Sequence, residues 1–163
     1  MTHIIATFFY SGHLRPAPGT WGSAAAVLAA WPLHAFGGPL LLAIGVLVSF
    51  ALGWWATAQE TRGKEDHDPS EIVIDEVAGQ WIALLPVSIG ASHAGASIFA
   101  LWPGILTAFL LFRLFDITKP SLIGWADRRG DALGVMLDDV FAGIIAALGV
   151  GLFAYLSHGV LGL

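Results

Sequence analysis

The sequence predicts an all-α protein: a compact, polytopic membrane bundle of about five hydrophobic helices, with its charged loops on one face. Composition is the first reason. Of 163 residues, 56% are hydrophobic and only 12% charged, against about 25% charged in an ordinary soluble domain. The second is the set of apolar runs at about 21–36, 39–58, 72–90, 97–115 and 134–156; a helix needs roughly 20 apolar residues to cross about 30 Å of hydrocarbon. The third is where the charges fall. Every Asp, Glu, Lys and Arg lies at Arg15, in segments 60–76 and 113–131, or at Asp138 and Asp139. A chain that crosses at each run brings all of them to the same face.

The first run, 21–36, is short and contains Pro32, which suits a short span, a tilted span or half of a re-entrant hairpin. "HAFGGP" (34–39) separates it from the second run, and "GASHAGAS" (90–97) separates the third from the fourth; both are small-residue turns. Trp54 and Trp55, and Trp125 in a later loop, suit an interfacial belt. "DPSEIVIDEVAGQW" (68–81) carries a helix-start signal at Asp68, with Pro69 at the first helical position and Glu71 in the first turn. Pro120 stops the fourth run, and Asp131 suits the N-cap of the fifth. No second domain is visible in 1–163. Arg15, Arg62, Lys64, Arg113, Lys119, Arg128 and Arg129 make the charged face cytoplasmic by the positive-inside rule. The N-terminal "MTHIIATFFYSGHLR" has no Lys or Arg ahead of its apolar patch, unlike a cleaved signal peptide.

Several chemistries are excluded. With no cysteine there is no disulfide framework, thiolate nucleophile or Cys-bound zinc. Seven Lys and Arg with no basic stripe argue against nucleic acid. HExxH, GxSxG, GxxxxGK[ST] and DxDx[TV] patterns are absent, and His3, His34, His93 and His158 are scattered. His67 lies nearer the acidic segment.

The acidic pairs are the informative feature. With Asp68 and Asp131 as caps, Asp75 and Glu76 fall about two turns into one helix and Asp138 and Asp139 two turns into another, roughly 10 Å along each axis, where the helix dipole no longer favours them. "IDEVAG" (74–79) and "LDDVFAG" (137–143) echo each other, which predicts two helices packed through Gly79, Ala142 and Gly143 with the acidic pairs face to face. Four carboxylates beside lipid repel one another and resist desolvation. A bound divalent cation resolves this, and an all-oxygen donor set points to Mg²⁺, which also meets phosphate oxygens. "FRLFDITKP" (112–120) puts Arg113, Asp116 and Lys119 roughly on one helical face. They form either a ladder of ion pairs, or a metal ligand (Asp116) with phosphate-binding cations (Lys119 or Arg113). "RPAPGTWGS" (15–23) runs a Pro- and Gly-rich loop into a helix. There Thr20 and Ser23 either cap the helix or join Gly19 in cradling an anion.

In this order, "RPAPGTWGS", "IVIDEVAGQW" (72–81), "FRLFDITKPSLI" (112–123) and "GVMLDDVFAG" (134–143) resemble the phosphatidylglycerophosphatase A family of bacterial membrane lipid phosphatases, over nearly the whole chain. The resemblance implies Mg²⁺-dependent hydrolysis of phosphatidylglycerophosphate to phosphatidylglycerol at the cytoplasmic face of the inner membrane. It implies an acidic catalytic and metal site of Asp75, Glu76, Asp116, Asp138 and Asp139, with Lys119 and the "GTWGS" loop on the phosphate. Two other readings stand beside it. A CDP-alcohol phosphotransferase also has a carboxylate–metal site in a helical membrane protein, but its DGxxAR…GxxxDxxxD pattern is missing. A carrier or ion transporter would use intramembrane carboxylates to bind a moving cation.

Overall fold

The computed structural model describes residues 1–160, with side chains through Ser157; His158 lies beyond the described side chains. Among the described residues the chain is all helical: α1 (Thr2–Ala6), α2 (Pro18–Glu60), α3 (Ile74–His93), α4 (Trp102–Thr118), α5 (Leu122–Asp127) and α6 (Ala132–Ala154), joined by short 3₁₀ turns. The segments containing α2, α4 and α6 are each long and apolar enough to cross a membrane. Large side chains such as Leu28, Leu47, Leu110 and Leu148 point outward from them, as lipid-facing residues do.

The first two apolar runs form α2, which is two helices meeting at Gly38. Gly38 has φ 58° and ψ −151°, a conformation open to glycine alone, and Pro39 follows it. The chain doubles back there. A β-carbon at Gly45 would sit 3.1 Å from both Leu33 Cδ1 and Trp81, and the indole N–H of Trp81 donates to the Ala26 carbonyl at 2.8 Å. In a straight helix Ala26 and Gly45 would be nearly 30 Å apart. Residues 18–37 and 39–60 are therefore the arms of a helical hairpin, and the first run is one of its arms. Its tip lies by the far end of α3, where a β-carbon at Gly38 would meet Ser92 Oγ at 3.3 Å and His34 Nδ1 is hydrogen bonded to Ser88 Oγ at 2.7 Å.

Helix α3 is the central helix, buried along most of its length from Ile74 to Ala91 between the hairpin, α4 and α6. It starts later than the Asp-Pro signal predicts. Residues 68–73 are a turn, in which the Ile72 N–H donates to the Pro69 carbonyl at 2.9 Å. Two tertiary contacts hold that turn off the helix. The Val73 N–H donates to the Ala6 carbonyl at 2.9 Å, and Gly12 packs so tightly that a β-carbon there would lie 2.0 Å from the Glu71 carbonyl oxygen. Asp75 and Glu76 consequently occupy the first turn of α3, not the third, and α3 has no side-chain cap.

Helix α6 begins as its sequence predicts. Asp131 is the N-cap and accepts from the Gly134 N–H at 2.7 Å; that bond and the Arg129 guanidinium, the larger influence, hold its carboxyl below the usual aspartate pKa. Asp138 and Asp139 lie about two turns further along. Helices α3 and α6 touch backbone to backbone: a β-carbon on Gly143 would stand 2.4 Å from the Gly79 carbonyl oxygen, and one on Gly79 would stand 2.5 Å from that of Asp139. Small residues permit this approach, and it brings the two acidic pairs opposite each other at the end of the bundle where all the charged loops gather.

Candidate active site

At that end lies a cavity of about 350 Å³. Five segments wall it: the α2 start with Gly19, the 68–72 turn with Asp68, Ser70 and Ile72, the α4 end with Arg113, Asp116 and Lys119, and the acidic pairs of α3 and of α6.

The predicted carboxylates divide into two groups. Asp75, Glu76 and Asp139 each offer an oxygen within 4.8 Å of the others. Asp75 Oδ1, Glu76 Oε2 and both oxygens of Asp139 are buried without a hydrogen-bond partner among the described residues. Unpartnered buried carboxylate oxygens are costly, and three aimed at one point fit a hard divalent cation such as Mg²⁺, whose ligands are oxygens. Asp116 and Asp138 line the same cavity but are each engaged by a cation. Arg113 Nη1 meets Asp116 Oδ2 at 2.5 Å, while Lys119 Nζ donates to Asp138 Oδ2 at 2.8 Å. Asp138 Oδ1 also accepts from the Asp139 N–H at 2.9 Å.

The cations are positioned by the ends of elements. Arg113 also approaches Glu76 Oε1 at 3.7 Å and donates to Ser23 Oγ at 3.4 Å, so one guanidinium links three helices. Lys119 is the C-cap of α4, in the left-handed conformation with φ 44°. Its ammonium bridges Asp138 to Asp127 across the loop. Lost hydration opposes its charge, but the bonds to Asp127 and Asp138 outweigh that and raise its pKa above the ordinary lysine value. Both cations line the cavity, within reach of a bound phosphate.

The N-terminal loop supplies backbone more than hydroxyls. Gly19 lines the cavity against Glu76 and Arg113. Ser23 is buried behind Arg113 and donates to the Gly19 carbonyl at 2.8 Å. Thr20 is half-buried and outside the cavity lining. Neither hydroxyl caps α2, whose N-cap is Ala17.

Two further residues belong with the site. Asp68 is part of the cavity wall. Its surroundings desolvate it and raise its pKa, Lys119 pulls it back, and Asp127, Asp66 and Asp116 push it up again. Asp127, one of several charges in "DRRGD", is the second partner of Lys119. In the sequence the Asp68-Pro69 pair reads only as a helix start, whereas Asp127 in "DRRGD" (127–131) reads as a ligand, a clamp or part of a solvated loop.

Known proteins resemble the chain over nearly its whole length. The sequence profile of Phosphatidylglycerophosphatase A matches residues 4–154. Phosphatidylglycerophosphatase A of Haemophilus influenzae is 37% identical over 155 residues, covering 94% of this chain and 88% of the relative. Phosphatidylglycerophosphatase A of Escherichia coli K12 is 32% identical over 157 residues, covering 96% and 83%. A Bacteroides thetaiotaomicron protein with a provisional phosphatidylinositol-3-phosphatase name is 38% identical over 146 residues, covering 86% of each chain. No solved structure matches. By profile, identity and coverage, the chain belongs to the phosphatidylglycerophosphatase A family.

Proposed function

We propose that this protein is a Mg²⁺-dependent phosphatidylglycerophosphatase of phospholipid biosynthesis, releasing inorganic phosphate from phosphatidylglycerophosphate and leaving phosphatidylglycerol. It works in the bacterial inner membrane with its site toward the cytoplasm, the side that the clustered Lys and Arg favour. One observation carries the reading: the unpartnered oxygens of Asp75, Glu76 and Asp139 converge in a cavity that also holds Arg113 and Lys119. A phosphomonoester needs both halves of such a site.

Asp75, Glu76 and Asp139 would hold the ion, which when bound supplies Lewis-acid polarisation of phosphoryl oxygens and an activated water. Arg113 and Lys119 bind and orient the phosphoryl group, which carries close to two negative charges at neutral pH. Asp116 and Asp138 hold those two cations in place. The lipid's acyl chains stay in the bilayer, so the substrate reaches the cavity by lateral diffusion and presents only its headgroup.

The test is phosphate release by the purified protein in detergent with Mg²⁺, comparing phosphatidylglycerophosphate, phosphatidate, phosphatidylinositol 3-phosphate and soluble glycerol phosphate. Fastest turnover of phosphatidylglycerophosphate, abolished by chelation, is the expected result. Preference for the inositide would move the substrate to the one named for the Bacteroides relative. Cation flux in liposomes without phosphate release would favour a transporter.

A further inference from the structure

Five of the six carboxylates lining the cavity already have a task. Asp75, Glu76 and Asp139 form the convergent oxygen set, Arg113 holds Asp116, and Lys119 holds Asp138. Asp68 is the sixth. Among the described residues its carboxylate makes no ion pair or hydrogen bond; only its backbone N–H is engaged, donating to Asp66 Oδ1 at 3.0 Å. It is nevertheless not on a loose loop. Pro69 fixes the next φ, the Pro69–Ile72 turn closes behind it, and Val73 and Glu71 are locked to the N-terminal segment.

Its place in the cavity matters as much as its freedom. The convergent set is the buried part of the lining, with Asp139 almost fully enclosed. Asp68 is exposed and lines the same cavity, beside Ser70 and Ile72. A phosphoryl group seated on the buried oxygens and the two cations would turn its ester oxygen toward the exposed part of the cavity, where Asp68 lies, while the acyl chains stay in the bilayer. The departing oxygen of a glycerol ester is strongly basic and needs a proton as its bond to phosphorus breaks.

We propose that Asp68 is a catalytic proton donor to the leaving glycerol oxygen, an inference that rests on the lipid phosphatase reading above. Water's oxygen bonds to phosphorus, and the bond from phosphorus to the ester oxygen breaks with its electron pair going to that oxygen. The Asp68 carboxyl gives that oxygen its proton. The proton lost by the attacking water leaves with phosphate or to solvent, and solvent returns one to Asp68. The sum is ester plus water to alcohol plus inorganic phosphate.

The experiment compares wild type with Asp68→Asn on two lipid phosphates that share acyl chains: phosphatidylglycerophosphate, and an aryl phosphate whose phenolate leaves without protonation. Asp68→Asn should lose roughly 100-fold or more in kcat on the first, the usual scale for a missing proton donor, and change little on the second. Its melting temperature and its Mn²⁺ affinity by titration should match wild type. Asp68→Glu, which keeps a carboxyl, should recover part of the loss. Equal losses on both substrates, loss of Mn²⁺ binding, or unchanged kcat would each overturn the proposal. Absence of phosphate release by wild type would instead overturn the phosphatase reading.

Discussion

Gly19 and Glu76 lie so close that a β-carbon on residue 19 would stand 2.1 Å from Glu76 Oε1, and 3.1 Å from both terminal nitrogens of Arg113. The atoms it would strike are the far ends of flexible side chains, so the fold can absorb the change, and the site cannot. Gly19→Ala should leave the melting temperature nearly unchanged while phosphate release falls by one to two orders of magnitude, roughly the scale of a 1 Å displacement of a positioned group. Assay and thermal unfolding of the same preparation check both halves.

Gly143 poses the opposite case, because its neighbour is the backbone of Gly79 at 2.4 Å. Gly143→Ala must part α3 from α6, and overpacking of this kind costs about 1–3 kcal/mol. Denaturant or thermal unfolding in detergent should show that loss. Gly151→Ala, on the same helix with nothing near its added β-carbon among the described residues, should show none.

Arg113 ties Glu76, Asp116 and Ser23 together from a half-buried position. Arg113→Ala leaves the Glu76 and Asp116 carboxylates without their counter-ion and should destabilise the protein by about 3 kcal/mol. Arg113→Lys keeps the charge but not the fork that reaches several acceptors at once. It should fall between the two in stability, with a raised KM in the phosphate-release assay.

Asp131 gives a pH-dependent prediction. Its carboxyl titrates below the usual aspartate value in the folded protein, so its stabilisation is present above the unfolded pKa and is lost as pH falls through the folded one. Asp131→Ala should cost about 1 kcal/mol near neutrality. The gap to wild type should close as pH is lowered through and below the aspartate range, which melting curves across an acid series would reveal.

What the sequence showed and what it hid follow the range of the interactions. The Asp131 cap depends on a contact three residues away, and the Gly79–Gly143 approach on two local patterns that echo each other; both were legible. The start of α3 was not, because Asp68-Pro69 is a sound helix signal that Ala6 and Gly12 override from more than fifty residues upstream. The separation of the carboxylates into Asp75, Glu76 and Asp139 against Asp116 and Asp138 was hidden for the same reason. It depends on where Arg113 and Lys119 point, and Lys119 is aimed at α6 from the left-handed end of α4. The hydroxyls of Thr20 and Ser23 looked equally available in the loop, and only packing puts Ser23 behind Arg113 and Thr20 off the cavity wall.

That separation can be measured without substrate. Titrating Mn²⁺ into wild type, Asp139→Asn and Asp116→Asn, with free ion read by its paramagnetic resonance, compares a member of the convergent set with a carboxylate already claimed by Arg113. Removing Asp139 should weaken binding by about 100-fold or more, since loss of even an outer-shell partner costs 10–100-fold, whereas the Asp116 variant should bind close to wild type. Equal weakening in both variants, or no saturable Mn²⁺ binding by wild type, would contradict it.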